Sequence, residues 1–312
     1  MTLKQTLEFY ELLDDAHIDG AQVAEKFYGR DHTKVSRDRV TGSKGFTDVL
    51  KIEIVGTQGK AQGGSAPTLG VIGRLGGIGA RPARIGLVSD ADGAIAALAV
   101  ADKLATMAAK GDRLAGDVII TTHICPNAPV RPHKPVDFMD SPVTTAEILG
   151  YEVDERCDAV ISIDTTKGNR FLNQRGVAIS PTVKQGYILH PAEDLLRLME
   201  FVSGEPALCL PLSTADITPY SNNLYHINSI MQPATATDAP VVGLALTTQV
   251  AVPGCATGAS HETDIAYAAK FCIEVAKAYG RGECDFYDAE QFNGLVAHYG
   301  SMQHLVTDPM QA

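Results

Sequence analysis

Leu69-Gly-Val-Ile-Gly-Arg-Leu-Gly-Gly-Ile-Gly-Ala-Arg-Pro-Ala-Arg-Ile-Gly-Leu-Val-Ser-Asp-Ala-Asp-Gly-Ala94 is the stretch that decides the fold. Leu69–Ile72 is a short apolar run and reads as a buried strand. A glycine-rich turn follows, then a second apolar run, Arg84–Val88, also read as a strand. The Ala-rich segment Ala94–Ala109, with Gly111 just beyond it, reads as a helix. The alternation continues outward. Val49–Val55, Asp117–Thr121, Ala159–Ile163, Gly176–Ile179, Ala207–Leu212 and Val241–Thr247 read as strands. Leu3–Leu13, Ala21–Tyr28, Pro191–Val202, His261–Tyr279 and Asp288–His298 read as helices. Strands alternating with helices predict a three-layer α/β fold, with a mainly parallel mixed sheet and helices on both faces. No linker or repeat breaks the pattern, so a single α/β domain over 1–312 is expected, with 1–45 as a helical segment packed on it.

The composition agrees and removes several function classes. The chain of 312 residues carries 26 Lys+Arg against 37 Asp+Glu, a net charge of −11 with no basic stripe, which argues against nucleic acid as the partner. No apolar run reaches the roughly 18 residues of a membrane span, and Met1–Thr6 does not read as a signal peptide. Six scattered cysteines without a CxxC pair read as reduced thiols of a cytoplasmic protein.

In a parallel sheet, ligands bind beyond the carboxyl ends of the strands. The residues just past each apolar run are therefore the informative ones: Arg74, Asp90 with Asp92, His123 with Cys125, and Asp164 with Lys167. His261 opens the last long helix. Asp and His together suit Zn, Mn or Fe, and three protein ligands with one open position is the catalytic arrangement. Each residue also has a structural role open to it. Asp90 or Asp92 can cap the following helix, His261 can stand at a helix start behind Ser260, Cys125 can be a buried thiol, and Arg74 and Arg81 can form salt bridges. Neither a GxGxxG nor a Walker A spacing is present.

Five motifs, Gly73–Pro82, Leu87–Ala94, Thr121–Pro129, Ser162–Asn169 and Val252–Glu262, resemble a bacterial and archaeal family known as domain of unknown function 1177, over essentially the whole chain. More distantly, their order is similar to that of the co-catalytic zinc aminopeptidases (glutamyl and tetrahedral aminopeptidases). That resemblance implies a zinc-aminopeptidase-like (phosphorylase/hydrolase-like) fold. The family's bridging Asp falls on Asp90, its Glu-Glu pair on Thr122-His123, its later Asp on Asp164 and its final His on His261. Arg74 stands where the first His would be, the Glu pair is gone, and the inserted domain is missing.

The resemblance thus implies a one-metal site, Zn or Mn, on Asp90, His123 and His261. Asp164 is a further ligand, the base, or the partner of Arg74, and Glu262 is a reserve base. Arg81, Lys167 and Arg170 are candidate contacts for a charged substrate. The implied activity is metal-dependent hydrolysis of an amide bond in a small peptide-like or amino-acid-derived substrate, by a self-assembling protein without nucleic-acid or membrane partners. A lyase, isomerase or cyclic-amide hydrolase on the same scaffold, with Cys125 or Cys255 acting, and a non-catalytic binding protein with a degenerate site, remain the alternatives.

Overall fold

The computed structural model describes residues 2–74, 77–218 and 227–306. Helices α1 (Leu3–Leu13) and α2 (Gly20–Ala24) lead into a long hairpin, β1 (Thr33–Gly42) and β2 (Gly45–Ile54). Next come β3 (Leu69–Gly73), α3 (Asp92–Ala109), β4 (Val118–Ile124), the small hairpin of β5 (Val130–Arg131) and β6 (Phe138–Met139), α4 (Thr145–Glu152) and β7 (Ala159–Thr165). The chain continues through β8 (Gly176–Ile179), β9 (Val183–Lys184), β10 (Tyr187–Ile188), α5 (Glu193–Ser203), β11 (Leu208–Cys209), α6 (Thr214–Ile217) and α7 (Asn228–Met231). It ends with β12 (Val241–Thr247), α8 (Glu262–Gly280) and α9 (Ala289–Tyr299).

The main sheet runs β1-β2-β4-β3-β7-β12-β8-β11. Its centre, β4-β3-β7-β12, is parallel, while β2 joins antiparallel on one side and β8 on the other. This is a mixed, mainly parallel sheet with helices on both faces. The strands carry it because they are apolar on both sides. Val71, Ile120, Ile161 and Leu244 point into the core under α3 and α8, whereas Ile72, Ile119, Val160 and Ala245 belong to the opposite core, which contains Ile230 and Met231 of α7. Helix α1 packs on α3 and α8 through Phe9 and Leu13, so this face of the N-terminal helix is covered within the chain itself.

Three expectations need correction. Segment 1–45 is not wholly helical, since its second half is β1. That strand carries Lys34, Arg37, Asp38 and Arg39, and a charged edge strand shows no apolar alternation. Arg84–Val88 is not a strand. Only Leu87 and Val88 make single bridges, to Gly79 and Thr257, and Ile85 is 89% exposed. Ala207–Leu212 contributes only the two residues of β11. Among the described residues, no helix is long and apolar enough to cross a membrane.

Two glycines bring α3 against the ends of the central strands. A Cβ on Gly93 would lie 2.6 Å from the Arg74 carbonyl oxygen and 2.9 Å from that of Ile163. A Cβ on Gly73 would lie 2.5 Å from the Gly93 carbonyl oxygen. Both close approaches are to backbone, which cannot swing aside. Gly93→Ala is therefore expected to destabilise the chain by about 1–3 kcal/mol through overpacking. A urea midpoint equal to that of the wild type would refute this.

Candidate functional site

Side chains on a strand alternate between faces, and residues in register share a face. Ile72 of β3 pairs with Thr121 of β4 and with Ser162 of β7. Two residues further on, the same face presents Arg74, His123 and Asp164 side by side across three adjacent strands. The Arg74 N–H donates to the Ile163 carbonyl at 2.8 Å, which holds the row in place just past the end of β3. Helix α4 lies over this row, started by a capping box between Thr144 and Glu147, and its last residue is Glu152. Helix α7 adds Ser229, and Gln232 follows it.

The side chains interlock. Arg74 donates through Nη1 to Glu152 Oε2 at 2.7 Å and through Nη2 to Gln232 Oε1 at 2.6 Å. Ser229 Oγ donates to Asp164 Oδ2 at 2.6 Å, and the Thr165 N–H donates to Asp164 Oδ1 at 2.7 Å. His123 Nδ1 meets Thr47 Oγ1 at 2.9 Å, and its Nε2 lies 3.9 Å from Glu152 Oε1. Arg74, His123, Glu152 and Asp164 are all buried. Burial raises the Asp164 carboxyl to about 6, against the opposing pull of Ser229 and Arg74. It raises Glu152 to about 7, with Arg74 opposing and the nearby Asp164 charge adding to it. Glu152 Oε1 accepts no hydrogen bond from the described residues.

The row opens onto a cleft of about 1420 Å³ lined by Arg74, Asp90, Asp164, Lys167, Ser229 and Gln232 among others. Asp90 stands in the short turn before α3, its N–H bonded to the Gly254 carbonyl at 2.9 Å. Lys167 reaches from beyond β7 to Asp92, with Nζ 3.0 Å from Oδ2. Asp92 is not a cap. It is the buried first residue of α3 and accepts from Ser260 Oγ on its other oxygen.

The expected metal set is not brought together. His123 sits on the α4 face of the sheet, bonded to Thr47. His261 stands at the N-cap of α8 on the opposite face, close enough to Asp92 to act on its charge. Asp90 alone of the three lines the cleft. Among the described residues, no three His, Cys, Asp or Glu side chains form a group able to hold a metal ion. The cation beside the buried carboxylates Glu152 and Asp164 is Arg74, and Asp92 is held by Lys167, so these residues do not fit the one-ion site that the sequence resemblance implies.

The other expected site residues are dispersed. Glu262 is the first residue of α8 and does not line the cleft. Arg81 is spent on the Pro126 and Asp14 carbonyls and also lies near the Asp14 carboxylate. Arg170 is exposed and does not line the cleft. Cys125 is buried, its thiol pushed up to about 11, and burial raises Cys255 too, so neither is primed as a thiolate nucleophile. Glu152, Ser229 and Gln232 were missed by sequence reasoning. They come from short helices outside any motif.

A parallel-centred mixed sheet with helices on both faces, bearing buried arginine and carboxylates at its carboxyl edge beside a large cleft, makes the chain a three-layer α/β protein. Its structure is similar to that of a mutant of tomato leucine aminopeptidase, at 14% identity and a TM-score of 0.54, covering 88% of this chain and 61% of that one. It is also similar to glutaminyl cyclase of an Acidobacteriales bacterium, at 11% identity and a TM-score of 0.50, covering 90% and 94%. The chain thus spans about three fifths of the aminopeptidase, and at these identities the likeness shows the fold alone. Within that class, the chain belongs to the family described as "Protein of unknown function (DUF1177)", whose model matches residues 38–308. No curated protein sequence matches it.

Proposed function

We propose that the protein hydrolyses an amide bond in a small peptide-like or amino-acid-derived substrate. The observation that carries this reading is Asp164, a buried carboxyl raised to about 6 that faces a large cleft beside a fixed arginine. A general base works best with a pKa near the working pH, and carboxylate and guanidinium together supply what acyl transfer needs. The substrate carbonyl points at Arg74, which uses two donors on Glu152 and Gln232 and has others to offer. Asp164 takes a proton from the attacking water as the water oxygen bonds to the carbonyl carbon. Arg74 stabilises the oxyanion that develops. The carbon–nitrogen bond then breaks as Asp164 returns the proton to the leaving amine. Glu152 does not line the cleft, so it acts by orienting Arg74.

The test is turnover of aminoacyl, dipeptide and lactam panels by the purified chain between pH 5 and 9, with and without added Zn or Mn. Amide cleavage that rises with pH through about 6 is expected. No cleavage of any panel member would overturn the reading. Because Asp90, His123 and His261 do not converge, protein purified without chelator is expected to hold well under about one transition-metal ion per chain. Stoichiometric Zn or Mn by elemental analysis, lost in His123→Ala, would restore the metal-dependent mechanism.

A further inference from the structure

We propose that the cleft mouth holds an anion subsite built on Arg131, which takes a carboxylate of the substrate. The proposal rests on the hydrolase reading only for the identity of its occupant. In the hairpin of β5 and β6, Arg131 pairs directly with Phe138. Its guanidinium lies over the Phe138 ring, 4.7 Å from the centroid. The ring of His133 packs against the same Phe138 at 5.6 Å, and His133 Nδ1 is bonded to the Val136 carbonyl at 3.3 Å. All three residues line the cleft that contains Arg74 and Asp164.

The acidic groups around this hairpin are already engaged. Asp140 is 2.5 Å from Lys44 and Asp137 is 3.1 Å from Arg84. Glu147 is committed to the capping box with Thr144. Arg131, in contrast, is exposed, and no described carboxylate lies within ion-pair range of it.

An exposed arginine ordinarily spends conformational entropy to hold one geometry. Stacking on an aromatic ring fixes the guanidinium plane and leaves its edge donors pointing outward. Such a planar fork matches the two oxygens of a carboxylate. A peptide-like substrate carries its scissile carbonyl to Arg74 and Asp164 at the inner end. Its terminal or side-chain carboxylate then meets Arg131 at the mouth. At about 1420 Å³ the cleft is larger than the ~300–1,000 Å³ typical of small-ligand pockets, which gives room for both ends.

The test is calorimetric titration of the full chain with glutarate, glutaramide and inorganic phosphate. Glutarate is expected to bind about tenfold or more tightly than glutaramide, and Arg131→Gln to remove that preference. Phe138→Leu, which leaves the charge but removes the platform, is expected to weaken glutarate and spare glutaramide. Wild-type protein that binds no glutarate, or Arg131→Gln protein that binds it unchanged, overturns the subsite. Phosphate binding as tightly as glutarate overturns the carboxylate assignment. Arg131-dependent glutarate binding without turnover of any amide overturns the hydrolase reading and leaves the subsite standing.

Discussion

Asp164→Asn is expected to lose turnover and gain stability at the same time. Removing a general base costs about 10²–10⁴-fold in rate. The stability effect follows from the raised carboxyl. Its ordinary value is 3.8 and its folded value is about 6. Between these limits the unfolded chain has already lost the proton that the native chain still holds. Wild-type stability therefore falls as pH rises from about 4 through 6 and is flat above. Asparagine has no proton to lose, so the advantage of the variant is absent below pH 4 and complete above about 7. Every pH unit by which the folded value exceeds the ordinary one is worth about 1.4 kcal/mol, which makes the gain on the order of 2–3 kcal/mol. Hydrogen bonding need not suffer, because the asparagine oxygen can accept from Thr165 N–H while its amide donates to a rotated Ser229 hydroxyl. Urea midpoints at pH 4 and pH 8, beside rates at pH 8, read both effects. Equal midpoints at both pH values, or retained activity, would remove Asp164 from the role of base.

Arg74→Met is expected to cost more in stability than any other single change at the site. The arginine is buried, and its partner Glu152 is wholly enclosed. Removing one member of a buried ion pair leaves an uncompensated charge, at about 3–5 kcal/mol. The loss carries a pH signature. Glu152 titrates near 7 with Arg74 present and higher without it. Below that range it takes up a proton and needs no counter-ion, so Arg74→Met is close to tolerable at pH 5.5 and severe at pH 9. The double variant Arg74→Met with Glu152→Gln is expected to recover most of the lost stability at pH 9 and none of the activity. That split separates the structural role of the pair from the part Arg74 plays in the reaction. A double variant as unstable as Arg74→Met would show that lost packing, not stranded charge, is what matters.

The row of Arg74, His123 and Asp164 was legible because each residue follows an apolar run that reads as a buried strand. Strand ends are where a parallel sheet presents chemistry. What was illegible is how the row is completed. Glu152 closes a short helix and Ser229 and Gln232 lie on or just after a single turn, with nothing in the local sequence to tie them to a strand 65 to 158 residues away. The error over Arg84–Val88 has the opposite cause. An apolar run satisfies the pattern of a strand whether or not a neighbour is free to pair with it, and β3 already has β4 and β7 on its two sides. The expectation that Asp90, His123 and His261 converge failed on sidedness. His123 hangs from the α4 face, and His261 heads a helix that packs on the other.

The alternation that builds this row makes its chemistry a matter of parity. Arg74, His123 and Asp164 meet only because each sits an even number of residues from its registered neighbour, Ile72, Thr121 and Ser162. One residue inserted or deleted within β3, β4 or β7 turns the functional side chain to the α3 face. At the same time it turns an aliphatic neighbour into the cleft. Change in the length of this chain is therefore confined to the loops, and the reactive edge can be altered by exchange of residues but not by sliding a strand.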